Sequence, residues 1–284
     1  MKNSAILLLS CPDQKGLVAA ISNFVFRHNG NILHADEHAD EASSLFLMRV
    51  EFDPSAFDID LADFATHFSP IAQKFQMNWR LTQSSYRPKM AILVSKYDHC
   101  LVDLLYRQKS GELPCEIPII ISNHPDNQPI ADFYRIPYVT VPVPKDNKRE
   151  AEQKILALLK QHDPDFIVLA RYMQILSNQF VNEYPHRIIN IHHSFLPAFI
   201  GAKPYHQAFA RGVKLIGATS HYVTEVLDDG PIIEQDVVRI SHRDSLDDLL
   251  QKGRDLEKVV LSRGVRWHIE NRVLLYGNKT VVFD

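Results

Sequence analysis

The sequence has few cysteines and no excess of positive charge. Its 284 residues include only Cys11, Cys100 and Cys115, which are odd in number and far apart. This pattern predicts neither a disulfide framework nor a zinc knuckle, and it is typical of a protein in the reducing cytoplasm. The formal net charge is −3, so the sequence offers no basic surface for nucleic acid.

Long apolar runs are also missing. No stretch approaches the roughly 20 apolar residues that a membrane helix needs, so we expect no membrane partner. The run Ala5–Leu9 is short and leads to Pro12–Lys15, not to a small-residue cleavage site, so we interpret it as a strand. With 45% hydrophobic and 23% charged residues, the composition is typical of a soluble globular protein with a real core.

The first part of the chain has the pattern of a small ferredoxin-like domain. Apolar residues recur first at strand and then at helical spacing, and the predicted order is βαββαβ. The predicted elements are a strand at Ser4–Ser10, a helix at Leu17–Val25, strands at Ile32–His38 and Leu45–Phe52, a helix at Leu61–Ala72 and a strand at Met77–Leu81. A polar stretch ending in Pro88 follows. We therefore predict domains at 1–82 and 89–284, joined by a linker at 83–88.

Beyond the linker, strands alternate with helices. Strands are predicted at Met90–Val94, Ile117–Ser122, Tyr138–Val141, Phe166–Ala170 and Arg187–Ile191, and helices at Cys100–Gln108 and Lys148–Gln161. This alternation predicts a mostly parallel, Rossmann-like α/β sheet with helices on both faces, and ligands bind beyond the carboxyl ends of such strands. An antiparallel pair, Val213–Tyr222 and Ile232–Ile240, is predicted next, followed by a helix from Leu246 to about Leu275.

Polar side chains occupy the end of the last predicted parallel strand. Asn190 and His192 share one face of it, because side chains alternate along an extended chain. The segment His221–Ile232 adds a carboxylate, Asp228 or Asp229, on a loop between two strands. An amide, an imidazole and a carboxylate suffice for attack on a carbonyl, since the amide stabilises the oxyanion and the other two groups move protons.

Other interpretations of these residues stay open on the pattern alone. His193 points to the opposite face from His192 and would be structural, and Asp229 could simply shape the turn. Ser194 lacks the Gly-x-Ser-x-Gly elbow of a hydrolase nucleophile. A metal could be bound by His192, His193, His206 and His221. No His-Glu-x-x-His or Cys-x-x-Cys spacing supports such a site, so we expect none.

Two segments together resemble the formyltransferase-like family, whose members move the formyl group of formyltetrahydrofolate. They are Asn190–Pro197 (NIHHSFLP) and Leu227–Ile232 (LDDGPI), and the resemblance covers essentially all of 89–284. It implies that Asn190, His192 and Asp228 are catalytic. Asp228 is preferred to Asp229 because it follows Leu227 and lies one residue before the Gly-Pro pair.

A third segment, Leu169–Leu176, resembles the part of the family that holds the pterin head. The substrate-binding residues implied are Leu169, Met173, Gln174, Ile175, Leu176, Thr224 and Val226. The folate is then a substrate, and no retained cofactor is implied.

The first domain resembles the ACT domain, a regulatory module that often binds amino acids where two such domains pair. Asp13–Gly16 matches its characteristic turn, and Asn29–Ile32 matches the segment after its first helix. The implied effector-binding residues are Asp13, Gln14, Gly16, Asn31 and Ile32. The resemblance implies a homo-oligomer with an amino-acid effector, and glycine or methionine is expected from their links to one-carbon supply.

An ACT-like domain before this catalytic domain resembles the arrangement of the formyltetrahydrofolate deformylases of one-carbon and purine metabolism. Gly201–Phe209 resembles them too. The related purine-pathway transferases hold a phosphorylated acceptor on a glycine-rich loop, but Ser95–Cys100 lacks glycine and contains Asp98. Relatives that act on tRNA carry an added C-terminal domain, which we do not expect here.

Water is therefore the expected acceptor, and the expected reaction is hydrolysis of 10-formyltetrahydrofolate to formate and tetrahydrofolate. Two alternatives remain. One is a formyltransferase with an unphosphorylated acceptor, and the other is a non-catalytic amino-acid sensor.

Overall fold

The computed structural model describes residues 3–144, 146–198 and 204–284. Of the Gly201–Phe209 segment, residues 201–203 therefore lie outside the described residues. The chain forms two compact units, Met1–Tyr86 with Glu270–Asp284, and Arg87–Ile269. The first division falls within the predicted linker at 83–88. The second differs from the predicted domain at 89–284, because residues 270–284 group with the first unit.

The first unit confirms the predicted ferredoxin-like order. Its elements are β1 (Ala5–Pro12), α1 (Leu17–Arg27), β2 (Asn31–Asp40), β3 (Leu45–Asp53), α2 (Phe64–Lys74) and β4 (Asn78–Gln83). The strands form an antiparallel sheet in the order β2-β3-β1-β4. Leu7 and Leu9 of β1 pack with both helices in one core, while Leu8 faces a second cluster around Phe283. Both faces of β1 are covered, so β1 is apolar at successive positions.

The predicted helix to about Leu275 is wrong at its end. The last helix, α8 (Leu246–Ile269), ends at Ile269, and a hairpin of two short strands follows, which belongs to the first unit. A Gly277-Asn278 pair connects these strands, and Gly277 has a φ of +55°. Glycine adopts this left-handed conformation readily, and a Gly-Asn pair between two apolar runs is a hairpin pattern. Apolar residues extending the helical pattern of α8 concealed it.

The second unit confirms the predicted α/β sheet. Its strands are β5 (Met90–Val94), β6 (Ile120–Ser122), β7 (Tyr138–Thr140), β8 (Phe166–Ala170), β9 (Ile188–His192), β10 (Leu215–Tyr222) and β11 (Ile232–Arg239). Its helices are α3 (His99–Ser110), α4 (Gln128–Tyr134), α5 (Lys148–His162), α6 (Asn178–Glu183), α7 (Pro204–Arg211) and α8 (Leu246–Ile269). The hairpin after α8 consists of β12 (Val273–Tyr276) and β13 (Lys279–Val282). The short helices α4 and α6 were not predicted, since neither is long enough to show a helical period.

The strand order β11-β10-β9-β8-β5-β6-β7 places β9 where the sheet changes direction. Strands β9 to β7 run parallel, while β10 is antiparallel to both β9 and β11. Helices α5 and α6 pack on the face that carries Leu169. Helix α8 packs on the opposite face, where a side chain at Gly264 would collide with Ser220. Among the described residues, no helix combines the length and hydropathy required to cross a bilayer.

The aromatic core of the first unit gives a stability prediction. Phe68 is fully buried, and its ring lies 5.0 to 5.3 Å from those of Phe24, Phe64 and Trp79. Phe68→Ala should lower the free energy of unfolding of this unit by about 3–5 kcal/mol, because it leaves a cavity. Urea denaturation followed by tryptophan fluorescence measures this. Phe26→Ala, at an exposed position of α1, is the control, and equal losses in both variants would contradict the packing described.

Candidate active site

A cavity of about 300 Å³ lies at the carboxyl ends of β8 and β9, as expected for a parallel sheet. Its walls come from the segment after β8, the end of β9 and the loop between β10 and β11. The predicted substrate-binding residues that line it are Leu169, Met173, Gln174, Ile175, Leu176, Thr224 and Val226. The predicted catalytic residues that line it are Asn190, His192 and Asp228. The fold thus brings together three segments that are far apart in the sequence.

Strand register aligns Asn190 with one residue on each neighbouring strand. Leu169 of β8 and His221 of β10 are its partners, and register partners lie side by side on one face. The Asn190 Nδ2 lies 3.1 Å from His221 Nε2. The register of β10 with β9 therefore explains a contact that the sequence pattern did not show.

His221 orients the amide of Asn190. Its Nδ1 lies 2.9 Å from the carbonyl oxygen of Tyr222, so Nδ1 carries a proton and donates it. Burial lowers the pKa of His221, and the neutral ring then accepts at Nε2. Asn190 donates one N–H to this nitrogen, which fixes the amide plane and leaves its second N–H available to a ligand.

His192 and Asp228 form a buried pair. The His192 Nδ1 lies 3.2 Å from Asp228 Oδ2, and both side chains are more than nine-tenths buried. Burial alone would raise the pKa of Asp228, but a hydrogen bond from His192 and the nearby imidazoles hold it below its ordinary value. Asp228 is therefore ionised and keeps a proton on Nδ1. His192 Nε2 is buried without a partner among the described groups, so it is available to exchange a proton with a ligand.

A tight loop places Asp228 beside His192. Asp228 has a φ of +55°, a left-handed conformation that aspartate tolerates better than most residues. Two residues later, a Cβ on Gly230 would collide with the carbonyl oxygen of Tyr222. Only glycine permits this approach of the loop to the end of β10. The Gly-Pro pair that helped to identify the motif is therefore also a packing requirement.

His193 lines the same cavity as His192 rather than the opposite face, and Arg171 holds its ring. The Arg171 Nη1 donates to His193 Nδ1 over 2.6 Å, and the two imidazoles of His192 and His193 stack at 5.2 Å. Burial, reinforced by the charge of Arg171, lowers the pKa of His193 to about 3. Sequence reasoning did not single out Arg171, because its contacts depend on the packing of distant segments.

The four histidines considered as metal ligands do not converge within the described chain. The described groups with metal-ligand geometry are limited to His99, Cys100 and Glu257. His206 is exposed on α7. Ser194 donates its hydroxyl to the carbonyl oxygen of Ala198 over 2.6 Å, which agrees with the weak case for a serine nucleophile.

Comparisons with known proteins agree with both resemblances. The family model described as Formyl transferase matches residues 88–265, and that described as ACT domain matches residues 5–64. A formyltetrahydrofolate deformylase from Synechocystis sp. is 56% identical over 280 residues, which are 99% of this chain and 98% of that protein.

Two solved structures extend the comparison. A formyltetrahydrofolate deformylase from Pseudomonas syringae pv. tomato is 52% identical, with a TM-score of 0.98 and coverage of 100% of this chain and 95% of that chain. A glycinamide ribonucleotide transformylase 1 from Symbiobacterium toebii is 28% identical, with a TM-score of 0.66 and coverage of 70% and 95%. The likeness to the deformylase therefore includes both units.

Burial and the charge of Arg171 predict that the imidazole of His193 stays neutral in mildly acidic solution. An unperturbed histidine has a pKa of about 6.5, so an unfolded chain gains this proton at a pH where the folded protein, with a pKa of about 3, does not. The stabilising contribution of His193 is complete above the unfolded pKa and falls as pH drops towards 3, by up to about 1.4 kcal/mol per pH unit. Nitrogen-15 spectra of labelled histidine at pH 5 should show His193 neutral.

His193→Gln is the control for this prediction, because glutamine keeps an acceptor for Arg171 but does not titrate. Its free energy of unfolding should decrease less between pH 7 and pH 5 than that of the wild type. A protonated His193 ring at pH 5 would contradict the arrangement.

Proposed function

The chain belongs to the formyltetrahydrofolate deformylase family, and we propose that it hydrolyses 10-formyltetrahydrofolate to formate and tetrahydrofolate. One observation carries the proposal. The buried Nε2 of His192 has no partner among the described groups, while Asp228 holds the opposite nitrogen and Asn190 lines the same cavity. This arrangement is suited to attack on a carbonyl placed in the cavity.

Each of the three residues has a role in the reaction. The ionised Asp228 positions water and accepts its proton, directly or through His192. The water oxygen bonds to the formyl carbon, and the free N–H of Asn190 donates to the oxyanion that forms. His192 assists with its imidazole, and the proton taken from water reaches the folate nitrogen as the carbon–nitrogen bond breaks. Formate and tetrahydrofolate then leave.

The rim of the cavity supports a folate substrate. Met173, Ile175, Val226 and Leu227 are large apolar side chains that are at least half exposed. A flat ring system bound between them would remove this apolar surface from water. We assign the pterin head to this rim, where Leu169, Gln174, Leu176 and Thr224 complete the lining.

We assign the protein to the cytoplasm and assign it no cofactor, metal, membrane or nucleic-acid partner. Cys11, Cys100 and Cys115 are all free and buried, as is common for proteins in a reducing compartment. The acid–base chemistry above needs only side chains, and the net charge of −3 does not favour nucleic acid.

The experiment that tests the function measures formate and tetrahydrofolate after incubation with 10-formyltetrahydrofolate. Equal amounts of the two are expected, and glycinamide ribonucleotide should not increase the consumption of formyl folate. A formylated amine in place of formate would favour the transferase alternative. Binding without turnover would favour the sensor.

Substitutions at the three residues should abolish most of the turnover. Asn190→Ala should cost on the order of 100-fold or more through loss of an oxyanion donor. His192→Ala and Asp228→Asn should cost at least as much, while folate binding, measured by calorimetry, largely survives. Asp229→Asn is the matched control. If Asp228→Asn keeps near-normal turnover and Asp229→Asn does not, the carboxylate is wrongly assigned.

We further propose that the first unit binds an amino-acid effector, glycine or methionine. Gly16, with a φ of +92°, precedes α1, and within the described chain no side chain hydrogen-bonds to cap this helix. The free N–H groups and helix dipole there favour an effector carboxylate. Asn31 is exposed at the start of β2, next to Ile32, and can orient the ligand, while Asp13 and Gln14 lie just before Gly16 in the sequence.

Pairing of two copies through this unit would complete the effector site. Strand β2 lies at an edge of the sheet, and its Leu33 is 51% exposed. Unpaired edge strands are templates for pairing with another chain. We therefore propose a homo-oligomer.

Asn31→Ala should weaken the effector response without abolishing hydrolysis. An effector changes activity only if it binds two conformations of the protein with different affinities. The coupling free energy between an effector site and an active site is typically about 1–3 kcal/mol. Calorimetry with glycine or methionine measures effector binding, and turnover with and without the same amino acid measures the effector response. Asn78→Ala, at an exposed asparagine that begins β4, is the control. No heat of binding to the wild type would contradict this proposal.

A further inference from the structure

A buried carboxylate outside the three-residue site has several partners. Glu257 of α8 is 1% exposed. Its Oε2 lies 2.8 Å from His99 Nε2, and its Oε1 accepts from the hydroxyl of Tyr205 at 2.8 Å. The Arg171 Nε lies 3.4 Å from the same Oε2. Burial alone would raise the pKa of Glu257, but His99 and Arg171 lower it. Glu257 is therefore an anion whose positive partner is Arg171.

Arg171 connects this carboxylate to the proposed catalytic residues. Among the residues that line the cavity, it is the one lysine or arginine. It donates to His193, which stacks on His192, and its guanidinium lies 5.3 Å from the ring of Tyr97. His193 interacts electrostatically with both Glu257 and Asp228.

The backbone also indicates that the arginine has a purpose. Arg171 has a φ of +61°, the left-handed conformation that glycine adopts readily and that an arginine rarely does. Its Nε is buried and makes no hydrogen bond within the described chain. Residues in such conformations cluster at active sites and ligand clamps, which agrees with a functional role for this side chain.

The chemistry of formyl acceptors suggests that function. An aliphatic amine is protonated at neutral pH, and a nearby carboxylate favours its binding before it attacks as the free base. Arg171 lines the cavity, and Glu257, which is not part of the lining, lies 3.4 Å from its Nε. The guanidinium thus neutralises the carboxylate that an amine would otherwise use. Water is neutral and small, and needs no such carboxylate.

We propose that Arg171 determines the acceptor specificity of the site, because its guanidinium occupies the anionic position beside Glu257 that an amine acceptor would require. This inference rests on the proposed hydrolysis. Without Arg171, the amine nitrogen bonds to the formyl carbon, the bond from that carbon to the folate nitrogen breaks, and the amine proton passes to the folate nitrogen. The products are then a formamide and tetrahydrofolate.

The test compares the wild type with Arg171→Ala in 10-formyltetrahydrofolate and methylamine. Formate and N-methylformamide are measured by mass spectrometry. The wild type should yield formate, while the variant should raise the formamide share of turnover about tenfold or more. Added guanidinium ion should bind beside Glu257 in the variant and lower the formamide share again. Arg254→Ala is the matched control, since Arg254 lies over the same Tyr97 ring but is exposed.

Arg171→Ala could fold poorly because Glu257 loses its counter-ion, so a second variant keeps the inference testable. Arg171→Ala combined with Glu257→Gln removes both charges, and it should formylate neutral hydroxylamine but not methylamine. The inference is overturned if the variants consume formyl folate yet release only formate. If the wild type consumes no formyl folate, the proposed function fails, and this inference fails with it.

Discussion

The pairing of β9 with a parallel strand on one side and an antiparallel strand on the other determines where the site forms. The parallel neighbour aligns the end of β8, with its following loop, beside Asn190. The antiparallel neighbour presents His221 to the same residue and turns at once into the loop that carries Asp228. A shift of one residue in either register would turn the neighbouring partner of Asn190, Leu169 or His221, to the opposite face. The sheet is therefore the scaffold of the site.

Two buried carboxylates on this scaffold differ in their partners. Asp228 has imidazoles as its partners and is balanced by groups that can gain or lose a proton. Glu257 also contacts one imidazole, that of His99, but its other partners are the hydroxyl of Tyr205 and the guanidinium of Arg171, a permanent cation. The first environment suits proton transfer and the second suits permanent neutralisation. Residues so close in the fold can thus serve separate tasks because their counter-ions differ in chemistry.

Local patterns predicted much of this structure. The spacing of apolar residues along the sequence predicted the strands and helices of both sheets. The end of one apolar strand placed Asn190 and His192 at the site. The contact of Asn190 with His221 could not be predicted, because it depends on the register of β10, which is set by pairing over long sequence distances. No pattern in the neighbouring sequence indicates the left-handed conformation of Arg171 or its hydrogen bond to His193. The final hairpin was missed because its apolar residues continue the pattern of α8 until Gly277.

The position of this hairpin has a consequence for synthesis of the chain. Leu8 and Leu47 are buried against Phe283, which is synthesised only after the whole of the second unit. At about 5–20 residues per second, translation from Arg87 onward takes roughly 10–40 seconds. Throughout that interval one apolar face of the emerging first sheet lacks its cover. The first unit therefore completes this apolar cluster only after the whole second unit has been synthesised, and the face exposed until then is the kind of surface that chaperones protect.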